Sequence, residues 1–100
     1  MSSLMPLAAE AQADGEAFPL SVCFSVLARA EPGVMPRVVE LFAKRGLVPE
    51  EWHSKASGEA LTIDVEIVGL DRDLCAYIAR CMRQITGVLT VLTSESRPSG

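Results

Sequence analysis

The sequence predicts an α+β fold in one small domain, and three observations support this prediction. The chain has 100 residues, of which 49% are hydrophobic, which is enough to build a single core. Two segments carry apolar residues at helical spacing, and the segments around them alternate apolar and polar residues as half-buried strands do. In chain order, these segments predict the arrangement βαββαβ.

The first predicted strand covers residues 20–29 and is buried on one side. Its apolar positions alternate with others and share one face: Leu20, Val22, Phe24, Val26 and Ala28. Residues 1–17 are rich in Ala, Ser, Gln and acidic groups without any sustained period. We therefore expect residues 1–17 to form a flexible N-terminal arm and the domain to begin at residue 18.

A turn through Pro32 and Gly33 leads from this strand into the first predicted helix. Pro36 is acceptable only in the first turn of a helix, which places the helix start near Gly33. Gly46 is a natural left-handed terminator, so the helix ends before it. The apolar residues at helical spacing are Val34, Met35, Val38, Val39, Leu41 and Phe42.

The first backbone N–H groups of this helix are expected to lack intrahelical partners. A small carboxylate or phosphate could bind them, because the positive end of the helix dipole lies there. The same run could also be only a turn, since Gly33 permits a tight reversal and Pro32 fixes one backbone angle. Both interpretations stay open at the level of sequence.

The middle of the chain predicts a hairpin. Pro49 cannot donate to a central ladder, so residues 51–56 are predicted as an edge strand. Residues 57–59 form the turn, and the third strand follows with Leu61, Ile63, Val65 and Ile67 alternating with polar residues.

Asp71 is a suitable N-cap for a second helix. Its predicted apolar stripe contains Leu74, Ile78, Cys81 and Ile85, with Tyr77 and Met82. Residues 88–93 predict a last short strand, and residues 95–100 are expected to form a flexible C-terminal tail after a domain that covers residues 18–94.

These elements predict the ferredoxin-like arrangement, a four-stranded antiparallel sheet with two helices on one face. The open face would carry side chains that are polar but neither basic nor aromatic: Ser21, Cys23, Ser25, Thr62, Asp64 and Glu66. An RNA-recognition module of this topology stacks bases on aromatic residues of that face. With a formal net charge of −4, the chain is therefore not expected to bind nucleic acid.

Catalysis, metal binding and a cofactor are not expected either. His53 is the one histidine and has no cysteine or histidine at ligand spacing, so a surface or edge-strand position is expected for it. Trp52 is expected to anchor packing or an interface. An acylphosphatase-type enzyme would need a phosphate-binding loop near Arg29, where Glu31 would repel the phosphate.

Composition also bears on location. The three cysteines form no CxxC pair and fall in apolar patterns, which fits a reducing compartment. No stretch approaches the length of a membrane span, and residues 1–17 contain no basic residue, so no secretory signal is expected. We expect a soluble cytoplasmic protein that does not associate with membranes.

Residues 26–46, VLARAEPGVMPRVVELFAKRG, resemble the first strand, loop and helix of ACT domains. They are especially similar to the small regulatory subunit of acetohydroxyacid (acetolactate) synthase, and a weaker match extends over residues 20–94. The resemblance implies a dimeric regulatory module that binds an amino-acid effector between protomers. By position, the effector-binding residues would be Glu31, Gly33, Val34, Met35 and, from the other subunit, Val48 and Pro49.

Two positions depart from the family pattern. Members that respond to an effector usually have Asn or Asp three residues before the glycine and often Asn near the start of the second strand, whereas this chain has Ala30 and Val48. Each lost hydrogen bond to a charged ligand group costs roughly 1 to 3 kcal/mol. Weak amino-acid binding is therefore expected.

Two hypotheses follow from the sequence. The first is a non-catalytic regulatory subunit that activates the catalytic subunit of acetohydroxyacid synthase in branched-chain amino-acid biosynthesis. The alternative is an ACT-like protein-interaction module of another pathway, without an amino-acid effector. Both predict a homodimer in which the edge strand near Trp52 pairs across a two-fold axis.

Overall fold

The structure is a computed structural model that describes residues 21–96. It contains four strands and two helices in the order βαββαβ, as predicted. They are β1 (Ser21–Arg29), α1 (Val34–Ala43), β2 (Glu51–Ser57), β3 (Ala60–Val68), α2 (Arg72–Arg83) and β4 (Val88–Ser96).

The strands form one antiparallel sheet in the order β2-β3-β1-β4, so β1 and β3 are central and β2 and β4 are the edges. This confirms the predicted ferredoxin-like α+β fold. No helix among residues 21–96 is both long and apolar enough to cross a membrane.

One core lies between the sheet and the helices. Alternate residues of β1 are buried as predicted, and β3 adds its own alternating set to the same layer. Phe24 of β1 meets Phe42 of α1 edge to face, with ring centroids 5.8 Å apart. The largest fully buried side chains are Phe24, Phe42, Ile63, Ile67, Ile78, Met82, Val22, Val34, Val38 and Val65.

Helix α1 buries a narrower stripe than the sequence pattern predicts. Val34, Val38 and Phe42 are buried at a spacing of four residues, whereas Val39 is 45% exposed. Val39 lies one residue, or about 100°, away from Val38 around the helix, and so it falls on the flank. The end of the helix agrees with the prediction, because Gly46 has a positive φ of 69°.

Helix α2 starts as predicted, since the Asp71 carboxylate accepts a hydrogen bond of 2.8 Å from the Leu74 backbone N–H. Its buried face is rotated from the predicted one and consists of Cys75, Ile78, Ala79 and Met82. The small side chains of Cys75 and Ala79 permit close packing on the sheet. Burial raises the pKa of the Cys75 thiol, and the negative charge of Glu95 raises it further.

Strand β4 extends beyond its predicted end at Thr93. Ser94, Glu95 and Ser96 pair with Cys23, Val22 and Ser21 of β1, so the strand includes two residues of the predicted tail. Arg72 of α2 also forms an ion pair with this end of β4, in which Arg72 Nη2 lies 3.5 Å from Glu95 Oε1. The predicted N-terminal arm over residues 1–17 lies outside the described residues, as do residues 97–100.

Candidate functional site

The loop between β1 and α1 is held between two turns. The Ala30 N–H donates to the Glu59 carbonyl of the β2–β3 hairpin at 2.9 Å. The Arg29 N–H donates to the Gly87 carbonyl of the α2–β4 turn at 2.8 Å. The predicted site residues Glu31, Gly33, Val34 and Met35 are therefore placed together at this end of the sheet.

One backbone N–H group at the start of α1 is hydrogen-bonded within the β1–α1 loop. The Val34 N–H donates to the Glu31 carbonyl at 3.2 Å. Pro36, as a proline, has no backbone N–H that could bind a ligand. Gly33 is the N-cap and makes no side-chain capping hydrogen bond. Of the groups predicted to face a ligand, the Val34 amide is therefore already paired within the chain.

Gly33 does not make the tight left-handed reversal that its sequence context allows. Its φ of −81° and ψ of −10° are right-handed, a conformation that every residue type adopts. An added Cβ at Gly33 would meet the Arg37 guanidinium nitrogen at 2.5 Å, and that flexible side chain can move. Glycine is therefore not required here by backbone geometry.

Near this loop, Gly87 rather than Gly33 is the position at which the structure requires glycine. Its φ is 99°, and an added Cβ would lie 2.9 Å from Val34 Cγ2 and 3.1 Å from Glu31 Oε1. The Glu31 carboxylate thus packs against Gly87 beside the first residue of α1. In the sequence, Gly87 follows the apolar stripe of the second helix, and its contact with a loop more than fifty residues earlier has no local signal.

Val48 and Pro49, the other two predicted site residues, lie at the opposite end of β2. The neighbouring Glu50 N–H donates to the Glu66 carbonyl at 2.7 Å, which places this segment beside the end of β3. At about 3.3 Å per residue, the length of β2 separates it from the β1–α1 loop by roughly 20 Å. A single chain therefore brings together four of the six predicted residues and not the other two.

A shallow depression of about 440 Å³ lies beside the loop. It is bounded by Leu27, Arg29, Glu59 and Leu89, among others, and includes none of the six predicted site residues. Among residues 21–96, no group of three or more His, Cys, Asp or Glu side chains is arranged to hold a metal ion.

Strand β2 is an exposed edge strand, as predicted. Trp52 is half-buried against the core, and His53 is on the surface, with its Nε2 3.5 Å from Glu51 Oε1. The two-residue turn makes Ser57 and Ala60 a hydrogen-bonded pair, and such pairs alternate along antiparallel strands. The backbone groups of Trp52, Ser54 and Ala56 consequently point away from β3.

The open face of the sheet is largely polar, as predicted. Ser21 is nevertheless buried, and its hydroxyl donates to the Glu66 carboxylate on β3. Three exposed apolar side chains share this face, which the prediction of a polar surface did not include: Leu27, Val68 and Leu92.

Comparison with solved structures gives the same fold at low sequence identity. The ACT domain of GTP pyrophosphokinase from Chlorobium tepidum is 14% identical, with a TM-score of 0.69 over 76% of this chain and 99% of that one. An uncharacterised protein from Thermotoga maritima is 17% identical, with a TM-score of 0.63 over 75% and 94%. The C-terminal domain of the MgtC protein from Mycobacterium tuberculosis is 13% identical, with a TM-score of 0.64 over 88% and 98%.

No curated protein sequence matches this chain. A family model described as an ACT-like domain matches residues 15–99, which is most of the sequence. The match covers every strand and helix described above and supports the broader resemblance found in the sequence, without extending to acetohydroxyacid synthase in particular. The chain therefore belongs to the family of ACT-like domains.

Proposed function

We propose that this chain is a non-catalytic regulatory domain that acts as a homodimer on a partner enzyme. The observation that carries the proposal is the separation of the predicted site residues along β2. Glu31, Gly33 and Met35 lie near one end of the strand, and Val48 and Pro49 lie at the other. Only a second copy, running antiparallel along β2, would bring the two groups together.

The geometry of such a pair is simple. Antiparallel pairing of two β2 strands sets the beginning of each strand beside the hairpin end of the other. The Ala30–Glu59 hydrogen bond holds the β1–α1 loop at that hairpin end. Pro49 and Val48 of one copy would then face the loop of the other and close a seam. Val48 is 83% exposed, and the seam would cover it.

The seam has the chemistry to hold a small zwitterion weakly. The backbone N–H groups at the start of α1 other than that of Val34 would donate hydrogen bonds to a carboxylate, and Glu31 would attract an ammonium group. Ala30 and Val48 contribute no directional hydrogen bond. Since each missing charged hydrogen bond costs roughly 1 to 3 kcal/mol, losing two converts a micromolar site into one of about millimolar affinity.

The specific form of this function that we propose is an activating small subunit of acetohydroxyacid synthase, supported by the resemblance of residues 26–46. Adding the chain to the catalytic subunit from the same organism should raise the turnover rate of the synthase. The Ser54→Pro variant, which is designed to block pairing through β2, should raise it less. Unchanged turnover at a saturating amount of the wild-type chain would remove this assignment.

A second candidate function is an interaction module that has no amino-acid effector. It is favoured by the Glu31 carboxylate, which packs beside the first residue of α1, and by the apolar Ala30 and Val48. The Glu31 carboxylate repels the carboxylate of a free amino acid from the start of α1, and Ala30 and Val48 give the ligand no directional hydrogen bond.

Calorimetric titration with branched-chain and aromatic amino acids tests the second candidate. We expect no heat above dilution at concentrations well below about 1 mM, because two directional hydrogen bonds are missing. The double variant Ala30→Asn with Val48→Asn should bind more tightly, whereas Ala43→Asn on the exposed side of α1 should not. A micromolar dissociation constant for the wild-type chain would reject the module without an effector.

A further inference from the structure

The basic side chains of residues 21–96 are concentrated on the helical layer of the molecule. The helices themselves contain only two acidic residues, Glu40 and Asp73, whereas the open face of the sheet carries Glu51, Asp64 and Glu66. The chain as a whole has a formal net charge of −4, yet its helical layer is basic. Six of the eight Lys and Arg residues in this range lie on the helices or in the turn after α1: Arg37, Lys44, Arg45, Arg72, Arg80 and Arg83.

Three of these six cations are held by neighbours within the domain. The charged groups of Lys44 and Glu40 are 4.0 Å apart, and those of Arg72 and Glu95 are 3.5 Å apart. Arg83 Nη2 donates to a backbone carbonyl of β4 at 2.9 Å. These three side chains therefore already have a partner, which leaves the pair at the centre of the layer to be considered.

Arg45 and Arg80 share one aromatic ring. Their guanidinium carbons lie 4.8 Å and 5.7 Å from the centroid of the Tyr77 ring. Arg45 Nη1 also donates to the Leu41 carbonyl at 3.0 Å, so two contacts fix its position. Within residues 21–96, neither guanidinium forms an ion pair. Two like charges beside one ring repel each other, and a carboxylate bound near both would offset that repulsion.

Apolar side chains border the two arginines. Tyr77 is 43% exposed, and Leu41 and Leu74 are only partly buried against the core. Leu41 and Arg45 are four residues apart at the end of α1, and Leu74 and Tyr77 are three residues apart on α2, so each pair shares one side of its helix. The contact of Arg45 with Tyr77 sets these two sides against each other. The five side chains together form the interhelical surface: Leu41, Arg45, Leu74, Tyr77 and Arg80.

We propose that the interhelical surface binds an acidic segment of a partner protein, in which carboxylates flank an apolar or aromatic side chain. The guanidinium groups of Arg45 and Arg80 would donate paired N–H groups to the carboxylates. Leu41, Leu74 and Tyr77 would cover the apolar side chain. The inference rests on the proposed function only in that a regulatory domain needs a partner protein, and it names the surface that the partner contacts.

The charge distribution favours a short acidic segment over a nucleic acid. A long polyanion is repelled by the net charge of −4 and by the acidic open face of the sheet. A short segment presents its carboxylates to the helical layer alone. The apolar part of the interhelical surface also matches a leucine or phenylalanine side chain, which a phosphate backbone and a free inorganic anion lack.

Fluorescence anisotropy with a synthetic peptide tests the proposal. The probe is a labelled, blocked peptide in which glutamates flank a leucine and a phenylalanine. The wild-type chain should bind it, and a peptide with glutamine at every glutamate position should bind about tenfold more weakly or less tightly still, because it offers no charge to the arginines. A peptide with alanine in place of leucine and phenylalanine should also bind more weakly. Amide chemical shifts of residues 41–45 and 74–81 should change on binding.

Substitutions of the two arginines locate the site. Arg45→Gln and Arg80→Gln should each reduce affinity for the glutamate peptide about two- to fivefold, as expected for exposed ion pairs, and about tenfold together. The matched control is the double variant Arg29→Gln with Lys55→Gln, which makes the same charge change away from the helices. It should leave the affinity unchanged at about 0.15 M salt, where distant exposed charges are screened. Circular dichroism checks that each variant is folded.

Several results would overturn the proposal. These are equal binding of the glutamate and glutamine peptides, equal affinity of the wild type and R45Q/R80Q, and shifts confined to the open face of the sheet. Duplex DNA or inorganic phosphate that binds as tightly as the peptide would also reject a partner segment as the occupant.

The synthase assay separates this proposal from the proposed function. Unchanged synthase turnover, with peptide binding that depends on Arg45 and Arg80, would remove only the assignment to acetohydroxyacid synthase. Full activation of the synthase by R45Q/R80Q, with no peptide binding by the wild-type chain, would overturn only the interhelical surface.

Discussion

Replacing Phe24 by alanine should lower the free energy of unfolding by about 3 to 5 kcal/mol, the cost of truncating a buried phenylalanine. Phe24 has 0% exposure and lies in β1, between β3 and β4 at the centre of the sheet. Domains of this size are stable by only about 5 to 15 kcal/mol, so the variant should lose a large fraction of its stability. Chemical denaturation at a fixed protein concentration measures the change.

Leu92→Ala is the matched control for Phe24→Ala. Leu92 is 64% exposed on the opposite face of the sheet, and its truncation should change stability by less than about 0.5 kcal/mol. Phe42→Ala and the double variant complete a cycle, in which the edge-to-face contact should contribute about 0.5 to 1.5 kcal/mol. A loss below about 1 kcal/mol for Phe24→Ala would contradict the described core.

Gly87→Ala should destabilise the protein by about 2 to 4 kcal/mol through backbone strain and overcrowding together. The φ of 99° is unfavourable for alanine, and the new methyl group would lie 2.9 Å from Val34 Cγ2. Relief of this contact requires Val34 and Glu31 to move away from the α2–β4 turn. The start of α1 should therefore shift, and amide chemical shifts of residues 31–35 should report it.

Gly46→Ala separates strain from crowding. Gly46 also has a positive φ, of 69°, but nothing lies within 4 Å of an added Cβ. Its substitution should cost only about 1 to 2 kcal/mol and leave the β1–α1 loop unchanged. Equal losses for the two alanine variants would show that Gly87 does not pack against the loop.

Local signals predicted most of the fold. The alternation in β1 and β3, the Asp71 cap and the Gly46 terminator each depend on a few neighbouring residues, and the structure agrees with all of them. Such features are set by backbone geometry and by hydrogen bonds within one or two turns, so a single sequence contains them.

The predictions that failed depend on contacts distant in sequence. The apolar pattern of α2 fits more than one face, and packing on the sheet selects the face with Cys75 and Ala79. Ser94–Ser96 join β4 because the backbone of β1 needs hydrogen-bond partners, although their side chains give no strand signal. The exposure of Val39 is likewise decided by how the helix sits on the sheet.

The candidate site was predictable only in part. The Pro-Gly run placed Glu31, Gly33, Val34 and Met35 in one loop, which follows from their adjacency in the chain. The role of Gly87 and the separation of Val48 and Pro49 from that loop require the topology. The proposed seam would also require the geometry of a second copy.

The central position of the first strand has a consequence for biosynthesis. A ribosome makes β1 before any strand that pairs with it, and its two neighbours end at Val68 and Ser96. A nascent chain released before β4 emerges would expose one side of β1, a template for aggregation. The sheet can therefore be completed by β4 only after almost the whole domain has been translated.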